Sequence, residues 1–178
     1  MTIFLIGYMG CGKSSVGAAV ARRTGFRFVD MDRELEREAG CSVAEIFSRC
    51  GEEGFRAMER ELVERLAAAE GDTIVATGGG APCFGDNMER MNAAGVTVYF
   101  KMSPQTLAAR LKPGRARRPL IRDLDDAALE AYVATNLERR EKWYGQARVV
   151  IDCDGVGDGY IVEHVAADIS RRREGNRE

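Results

Sequence analysis

The stretch TIFLIGYMGCGKSS, residues 2–15, decides how the rest of the chain is read. An apolar run from Ile3 to Ile6 stops at Gly7, and Gly7, Gly12, Lys13 and Ser14 then fall in the spacing G-x-x-x-x-G-K-S, with Gly10 inside it. A continuous apolar run of that length suits a strand buried on both faces of a parallel sheet. The glycines leave the next backbone N–H groups unobstructed, and a helix N-terminus adds partial positive charge. Together they form a cradle for a polyphosphate, in which Lys13 reaches the β- and γ-phosphates and the Ser14 hydroxyl holds magnesium. An ordinary glycine turn is the alternative. Four fixed positions in one window, with a strand pattern before and a helical pattern after, favour the phosphate reading.

The 178 residues, 45% hydrophobic and 30% charged, are enough for one well-buried core and too few for two, so a single domain over residues 1–178 is expected. The 26 basic and 28 acidic residues give a net charge of −2, which provides no field for recruiting nucleic acid or an anionic membrane. No basic segment precedes the apolar start, and no run approaches the roughly 18 apolar residues that span a bilayer. A cytosolic monomer, with neither nucleic acid nor membrane as partner, is the expectation. The five cysteines are scattered, with no C-x-x-C pair, and read as reduced thiols. Cys11 lies inside the phosphate loop, where Lys13 and the helix terminus would lower its pKa. Its plainer reading is a small loop residue.

Beyond the loop, strand patterns recur at Phe26–Val29, Thr73–Ala76, Val96–Phe100 and Val149–Asp152. Helical patterns lie between them: Lys13 to Arg23, residues 33–40, a helix opened by the capping box Ser42/Glu45, and Glu52 to Ala69. Further helices are expected behind Asp86 and Glu89, behind Ser103-Pro104, over Asp125–Tyr144, and along the stripe Ile161, Val162, Val165, Ile169. A frayed tail RRREGNRE, residues 171–178, closes the chain. Residues 112–122, KPGRARRPLIR, hold five basic residues, no acidic one, two prolines and a glycine, and read as a loop. Five strands each followed by helix describe an α/β fold, a five-stranded parallel sheet flanked by helices on both faces. Ligands of such sheets bind beyond the carboxyl ends of the strands. Gly7–Ser15, Asp30 with Asp32, and Gly78–Gly80 should therefore share one crevice.

A phosphate loop alone does not choose between a switch, a motor and a kinase. Asp30 and Asp32 alternate at a strand end, and in extended geometry both point to one side. One could join a magnesium shell through water while the other accepts a hydrogen bond from a substrate hydroxyl; Asp32 also suits an N-cap. The strand-end aspartate that usually supports magnesium is absent, because Thr73–Ala76 runs into Thr77-Gly-Gly-Gly. Asp30 is the better candidate for the metal, and the glycines present N–H groups to a ligand. Arg56 lies four residues after Glu52 and three before Glu59, so a helix-surface ion pair and an anion ligand both fit. Arg140 falls on the apolar face of its helix with Leu129 and Val133, whereas Arg139 lies well off it. A buried-face arginine calls for a carboxylate or phosphate partner, and compensation of the helix dipole is the alternative. The basic stretch lacks interleaved aromatics and reads as a mobile lid, residues 112–124, that brings an arginine over transferring phosphates. The single His164 lies beside the last helical stripe, as a surface residue would.

The runs GYMGCGKSSVG, FVDMDRELEREAG with SVAEIF, GEEGFRAMERE, IVATGGGAP, RRPLI and RREKWYGQA, in this order, resemble shikimate kinase over almost the whole chain. The resemblance implies a P-loop kinase fold of the nucleoside-monophosphate-kinase type with a mobile lid. It implies ATP-dependent phosphorylation of the 3-hydroxyl of shikimate, on the route to chorismate and the aromatic amino acids, with Mg2+ as cofactor. By matching position, Gly10, Cys11, Gly12, Lys13, Ser14 and Ser15 bind ATP phosphates, Ser14 holds magnesium and Asp30 supports it. Asp32 hydrogen-bonds shikimate hydroxyls as the candidate base, and Arg56 and Arg140 clamp the carboxylate. Gly79 with Gly78 and Gly80 contacts the ring, Arg118 is the lid arginine, and Arg110 lines the adenine pocket. Residues 32–62 become the substrate-binding helices. The family usually shows R-x-P-x-Y before the last strand, and here Lys142 stands in the proline position. Pairing Arg140 with Tyr144 keeps the spacing, whereas pairing Arg139 with Trp143 shifts it by one. The loop DCDGVGDG has no residue-by-residue match. A kinase of another small hydroxy acid such as gluconate, and a catalytically silent shikimate sensor, are the competing expectations.

Overall fold

The computed structural model describes residues 1–175. Five strands, β1 (Thr2–Ile6), β2 (Arg27–Asp30), β3 (Thr73–Ala76), β4 (Gly95–Lys101) and β5 (Val149–Asp152), form one sheet in the order β2-β3-β1-β4-β5. Every pairing is parallel. The helices are α1 (Lys13–Thr24), α2 (Met31–Ala39), α3 (Val43–Ala68), α4 (Asn87–Ala94), α5 (Pro104–Leu111), α6 (Asp126–Tyr144) and α7 (Asp158–Gly175). Strands β1 and β3, apolar after an opening threonine, are buried along their whole length, as expected for sheet positions covered on both faces. Register aligns the strand ends that matter: Ala76 of β3 pairs with Leu5 of β1 on one side and Asp30 of β2 on the other. The chain therefore leaves β1 into Gly7, β2 into Met31 and β3 into Thr77 at one edge of the sheet.

Several local expectations are corrected. Extended backbone does not continue past Asp30. Helix α2 begins at Met31, and Asp30, not Asp32, is its N-cap, accepting from Arg33 N at 3.4 Å. A strand residue that is also a helix cap leaves no room for alternation, and Asp32 enters the first helical turn. The two helices expected over 42–69 form one run broken only at Gly51, where φ 69° and ψ −174° are open to glycine at little cost. The capping box is present, with Glu45 N donating to Ser42 Oγ at 3.3 Å and Ser42 N to Glu45 at 2.8 Å. Asp86 precedes α4 without capping it, because its carboxylate is held by Arg90 and Arg60. The basic stretch is not all loop: Lys112–Arg117 is a 3-10 helix continuing from α5. Fraying does not begin at Arg171. Helix α7 runs on to Gly175, and the rest of the expected tail lies outside the described residues.

Candidate active site

Two left-handed glycines shape the phosphate loop. Gly10 (φ 84°) and Gly12 (φ 93°) turn the chain tightly enough for Gly12 to cap α1 with its backbone alone. Lys13 is only 8% exposed and points back into the turn, donating to Gly7 O at 2.8 Å and Tyr8 O at 3.0 Å. It also reaches Cys11 Sγ at 3.6 Å. The ammonium group thus occupies the centre of the loop, held by carbonyls that an incoming anion would outbid. Ser14 and Ser15 are exposed at the first turn of α1. Cys11 is fully buried, its sulfur 3.0 Å from where a Cβ on Gly7 would lie, which fits a packing role.

The glycine triplet organises the second half of the site. None of the three has positive φ, so space, not backbone conformation, requires glycine here. A Cβ on Gly78 would lie 2.6 Å from Glu59 Oε1 and 3.0 Å from Asp32 Oδ1. One on Gly79 would lie 3.3 Å from Met9 N of the phosphate loop and 3.5 Å from Arg140 Nη1, and one on Gly80 2.6 Å from Arg56 Nη1. Asp32, Glu59, Arg140 and Arg56 therefore line one hollow beside the phosphate loop. Among the described residues the Gly79 and Gly80 N–H groups meet no acceptor, whereas Gly79 O accepts from the buried Tyr144 hydroxyl at 2.5 Å. Asp32 is exposed to solvent at the side of this hollow, with Asp30, Lys13 and Arg56 as charged neighbours. Desolvation, joined by repulsion from Asp30, holds its pKa above the ordinary carboxylate value, against the pull of Lys13 and Arg56. Glu59 is 1% exposed and accepts from Arg56 Nη1 at 2.5 Å; burial raises its pKa despite that arginine. Arg140 is half-buried with its guanidinium 5.1 Å from the Tyr8 ring centre, and Arg139 is exposed, as the face argument required.

A third group lies on the other side of the loop. Asp158, the first residue of α7, accepts from Arg110 Nη2 at 3.1 Å and from Ser15 Oγ at 3.2 Å, linking α5, α1 and α7. Arg118 turns back on its own segment, donating to Gly114 O at 2.9 Å. No three His, Cys, Asp or Glu side chains among the described residues cluster closely enough to hold a metal. The exposed Ser14 hydroxyl in the first turn of α1 and the half-exposed Asp30 carboxylate at the end of β2 are oxygen donors of the kind that suits an ion taking its remaining ligands from phosphates and water. Magnesium, a hard cation that keeps waters, fits such a set.

A family model described as shikimate kinase matches residues 9–170. The chain belongs to the shikimate kinase family. A shikimate kinase from Parabacteroides distasonis is 43% identical over 152 residues, 85% of this chain and 87% of that protein. The crystal structure of shikimate kinase from Bacteroides thetaiotaomicron superposes with a TM-score of 0.88 at 37% identity, covering 98% of both chains. Shikimate kinase from Acinetobacter baumannii, solved in complex with shikimate, gives 0.85 at 28% identity over 96% of this chain and 93% of its own.

Within this shikimate kinase fold the residues expected to act together fall into three sets. Asp32, Arg56, Gly78–Gly80 and Arg140 line the hollow, Gly10–Ser15 form the adjoining cradle, and Arg110 stands beyond Ser15. Among the described residues Arg118 hydrogen-bonds to neither the hollow nor the cradle. Arg56 is ion-paired to Glu59 and Glu52, and its guanidinium also borders the hollow beside Gly80. Sequence reasoning named Glu59 only as a surface ion-pair partner of Arg56, and missed Asp158 as well as Phe84, whose ring centre lies 4.1 Å from the Arg56 guanidinium carbon. The buried Glu59 looked like one carboxylate among many on a charged helix, and only its place on the face of Phe55 and Leu62 could have signalled burial. Asp158 lies in an unmatched loop, and Phe84 follows the triplet without any periodic pattern.

Proposed function

We propose that this protein transfers the γ-phosphoryl group of ATP to the 3-hydroxyl of shikimate, yielding shikimate 3-phosphate and ADP on the route to chorismate and the aromatic amino acids. The observation that carries the reading is the glycine triplet, which clears space for two guanidinium groups on one side and the Asp32 carboxylate on the other, against the phosphate loop. Two adjacent arginines suit a planar carboxylate, and a carboxylate a few ångströms away suits ring hydroxyls. The relative solved with shikimate supports the same substrate.

In this reading Asp32 accepts the proton of the 3-hydroxyl as its oxygen bonds to the γ-phosphorus and the bond to the β,γ-bridging oxygen breaks. Lys13 leaves the carbonyls of Gly7 and Tyr8 to neutralise the β- and γ-phosphates. Arg118, on the lid over residues 112–124, closes over the transferring group. Positioning and charge neutralisation supply most of the acceleration in such a transfer, so Lys13 and Arg118 matter more than a strong base. Ser14 and Asp30 would hold Mg2+, which when bound neutralises phosphate charge. Arg110 borders the adenine, and residues 32–62 carry the acid-recognising helices. A single-domain, monomeric, cytosolic enzyme completes the proposal. Turnover of shikimate and of gluconate, side by side in a coupled ADP assay, tests it. Phosphorylation of shikimate with gluconate inert supports the reading. ATP binding without turnover of either, or preference for gluconate, overturns it.

A further inference from the structure

Phe84 is the residue of the site that neither the phosphate loop nor the substrate chemistry explains. It ends the 3-10 helix Ala81–Cys83 that follows the glycine triplet, and it is a large apolar side chain left 37% exposed. Its ring has one specific charged neighbour: the Arg56 guanidinium carbon lies 4.1 Å from its centre, closer than the 5.5 Å to Phe55. Arg56 is otherwise incompletely held. Nη1 donates to buried Glu59 at 2.5 Å, Nη2 reaches exposed Glu52 at only 3.4 Å, and Nε is buried without a partner. One firm contact fixes a point and leaves the plane of the group free to turn. Gly80, with no side chain, keeps the Nη end clear.

We propose that Phe84 is a positioning residue for acid recognition, a π platform that fixes the plane of Arg56 so that its unused donors meet the substrate carboxylate already oriented. The inference rests on the reading of Arg56 as a carboxylate ligand. Two effects follow from an aromatic face over a guanidinium. The attraction is strongest where water is partly excluded, and the ordering of a long side chain is completed before substrate arrives. The backbone supports the geometry, because Asn87 N donates to Phe84 O at 3.2 Å and Phe84 N to Ala81 O at 3.5 Å, so triplet, short helix and ring are one connected unit.

The test compares Phe84→Ala, Phe84→Leu and Phe84→Tyr in steady-state kinetics, with Arg56→Ala alone and combined with Phe84→Ala. A cation–π contact at a half-exposed site predicts a rise in the KM for shikimate of about threefold to tenfold in Phe84→Ala, with kcat within about twofold and the KM for ATP unmoved. Phe84→Leu keeps the apolar volume without the π face and should behave like Phe84→Ala, whereas Phe84→Tyr should restore the wild-type KM. In the Arg56→Ala background, Phe84→Ala should add nothing. A wild-type KM in Phe84→Leu would show that the ring only packs, and a further loss in the double variant would show that it acts elsewhere; either overturns the proposal. If Arg56→Ala itself leaves the KM for shikimate unchanged, the carboxylate reading of Arg56 falls first. Phe84→Leu keeps the comparison open should Phe84→Ala fail to fold.

Discussion

Each glycine of 78–80 faces a different charged side chain, and the consequences of filling the space differ accordingly. At Gly80 the obstructed atoms are the far end of a flexible arginine, 2.6 to 3.0 Å from an added Cβ, so Gly80→Ala should fold with a near-normal melting temperature. The displaced Arg56 then weakens acid binding, with the KM for shikimate expected to rise about tenfold, the scale of a charge-assisted hydrogen bond misplaced. Parallel thermal melts and substrate titrations check both halves. Asp158 supports a second prediction at this scale. Its carboxylate holds Ser15 and Arg110 at the mouth of the cradle, where an anionic ligand is to bind. Asp158→Asn preserves shape and removes like charge, and should tighten ATP about twofold to fivefold without altering shikimate affinity. Nucleotide titration by calorimetry at two salt concentrations would show it, and weaker binding would mean that Asp158 supports the nucleotide.

Among the elements, the proposed lid segment is anchored at both ends. Lys112 and Arg115 pair with Asp126 at the head of α6 at 2.9 and 3.0 Å, and Ile121 is fully buried. Between these anchors the Arg118 side chain bonds only to Gly114 O among the described residues, its backbone is held in turns to Arg115, Ile121 and Arg122, and Leu120 is 71% exposed. Two held ends with an exposed Leu120 between them fit the proposed lid, whose arginine would reach the phosphates by local rearrangement. Arg118→Ala should lower kcat roughly a hundredfold, as for loss of one donor to a transition-state anion, with a much smaller change in shikimate binding. Single-turnover rates with equilibrium binding separate the two, and equal losses would assign the arginine to ground-state binding. Helix α3 shows the same economy. Its Gly51 break lets the capped first part and the Arg56/Glu59 part take different directions, so the pair can face the hollow.

At the scale of the whole molecule, the last helix is fastened to the first strands through Asp72. Its carboxylate pairs with the Met1 amino group at 2.8 Å and with Arg173 of α7, whose guanidinium also lies 4.5 Å from the Phe26 ring centre. Hydrogen bonds from the Met1 amino group and then Arg173 lower the Asp72 pKa below its usual 3.8. A carboxylate with a depressed folded-state pKa contributes stability above the unfolded value and loses it as pH falls through the folded one. Asp72→Asn should therefore lower the melting temperature slightly at pH 7, and the difference from wild type should vanish below the depressed pKa. The group is partly exposed, so the effect at neutral pH stays under about 1 kcal/mol. Melts between pH 2 and pH 7 test the sign.

The sequence by itself determined what repeats or stands at fixed spacing. Apolar runs marked β1 and β3, the 3.6-residue stripe separated Arg140 from Arg139, and G-x-x-x-x-G-K-S marked the cradle, because each reports a local geometry that neighbouring residues impose. It also joined Asp32, Arg56, the triplet and Arg140 by resemblance, without saying why they meet. Only the tertiary structure decided that. The β2-β3-β1 register brings three strand ends level, and the side chains missing at 78–80 let Asp32, Glu59, Arg140 and Arg56 converge on one hollow. The cap at Asp30, the Asp158 link and the ring of Phe84 over Arg56 were illegible beforehand for one reason. Each depends on a partner distant in sequence or on a backbone turn fixed by packing, and neither leaves a periodic trace in the chain.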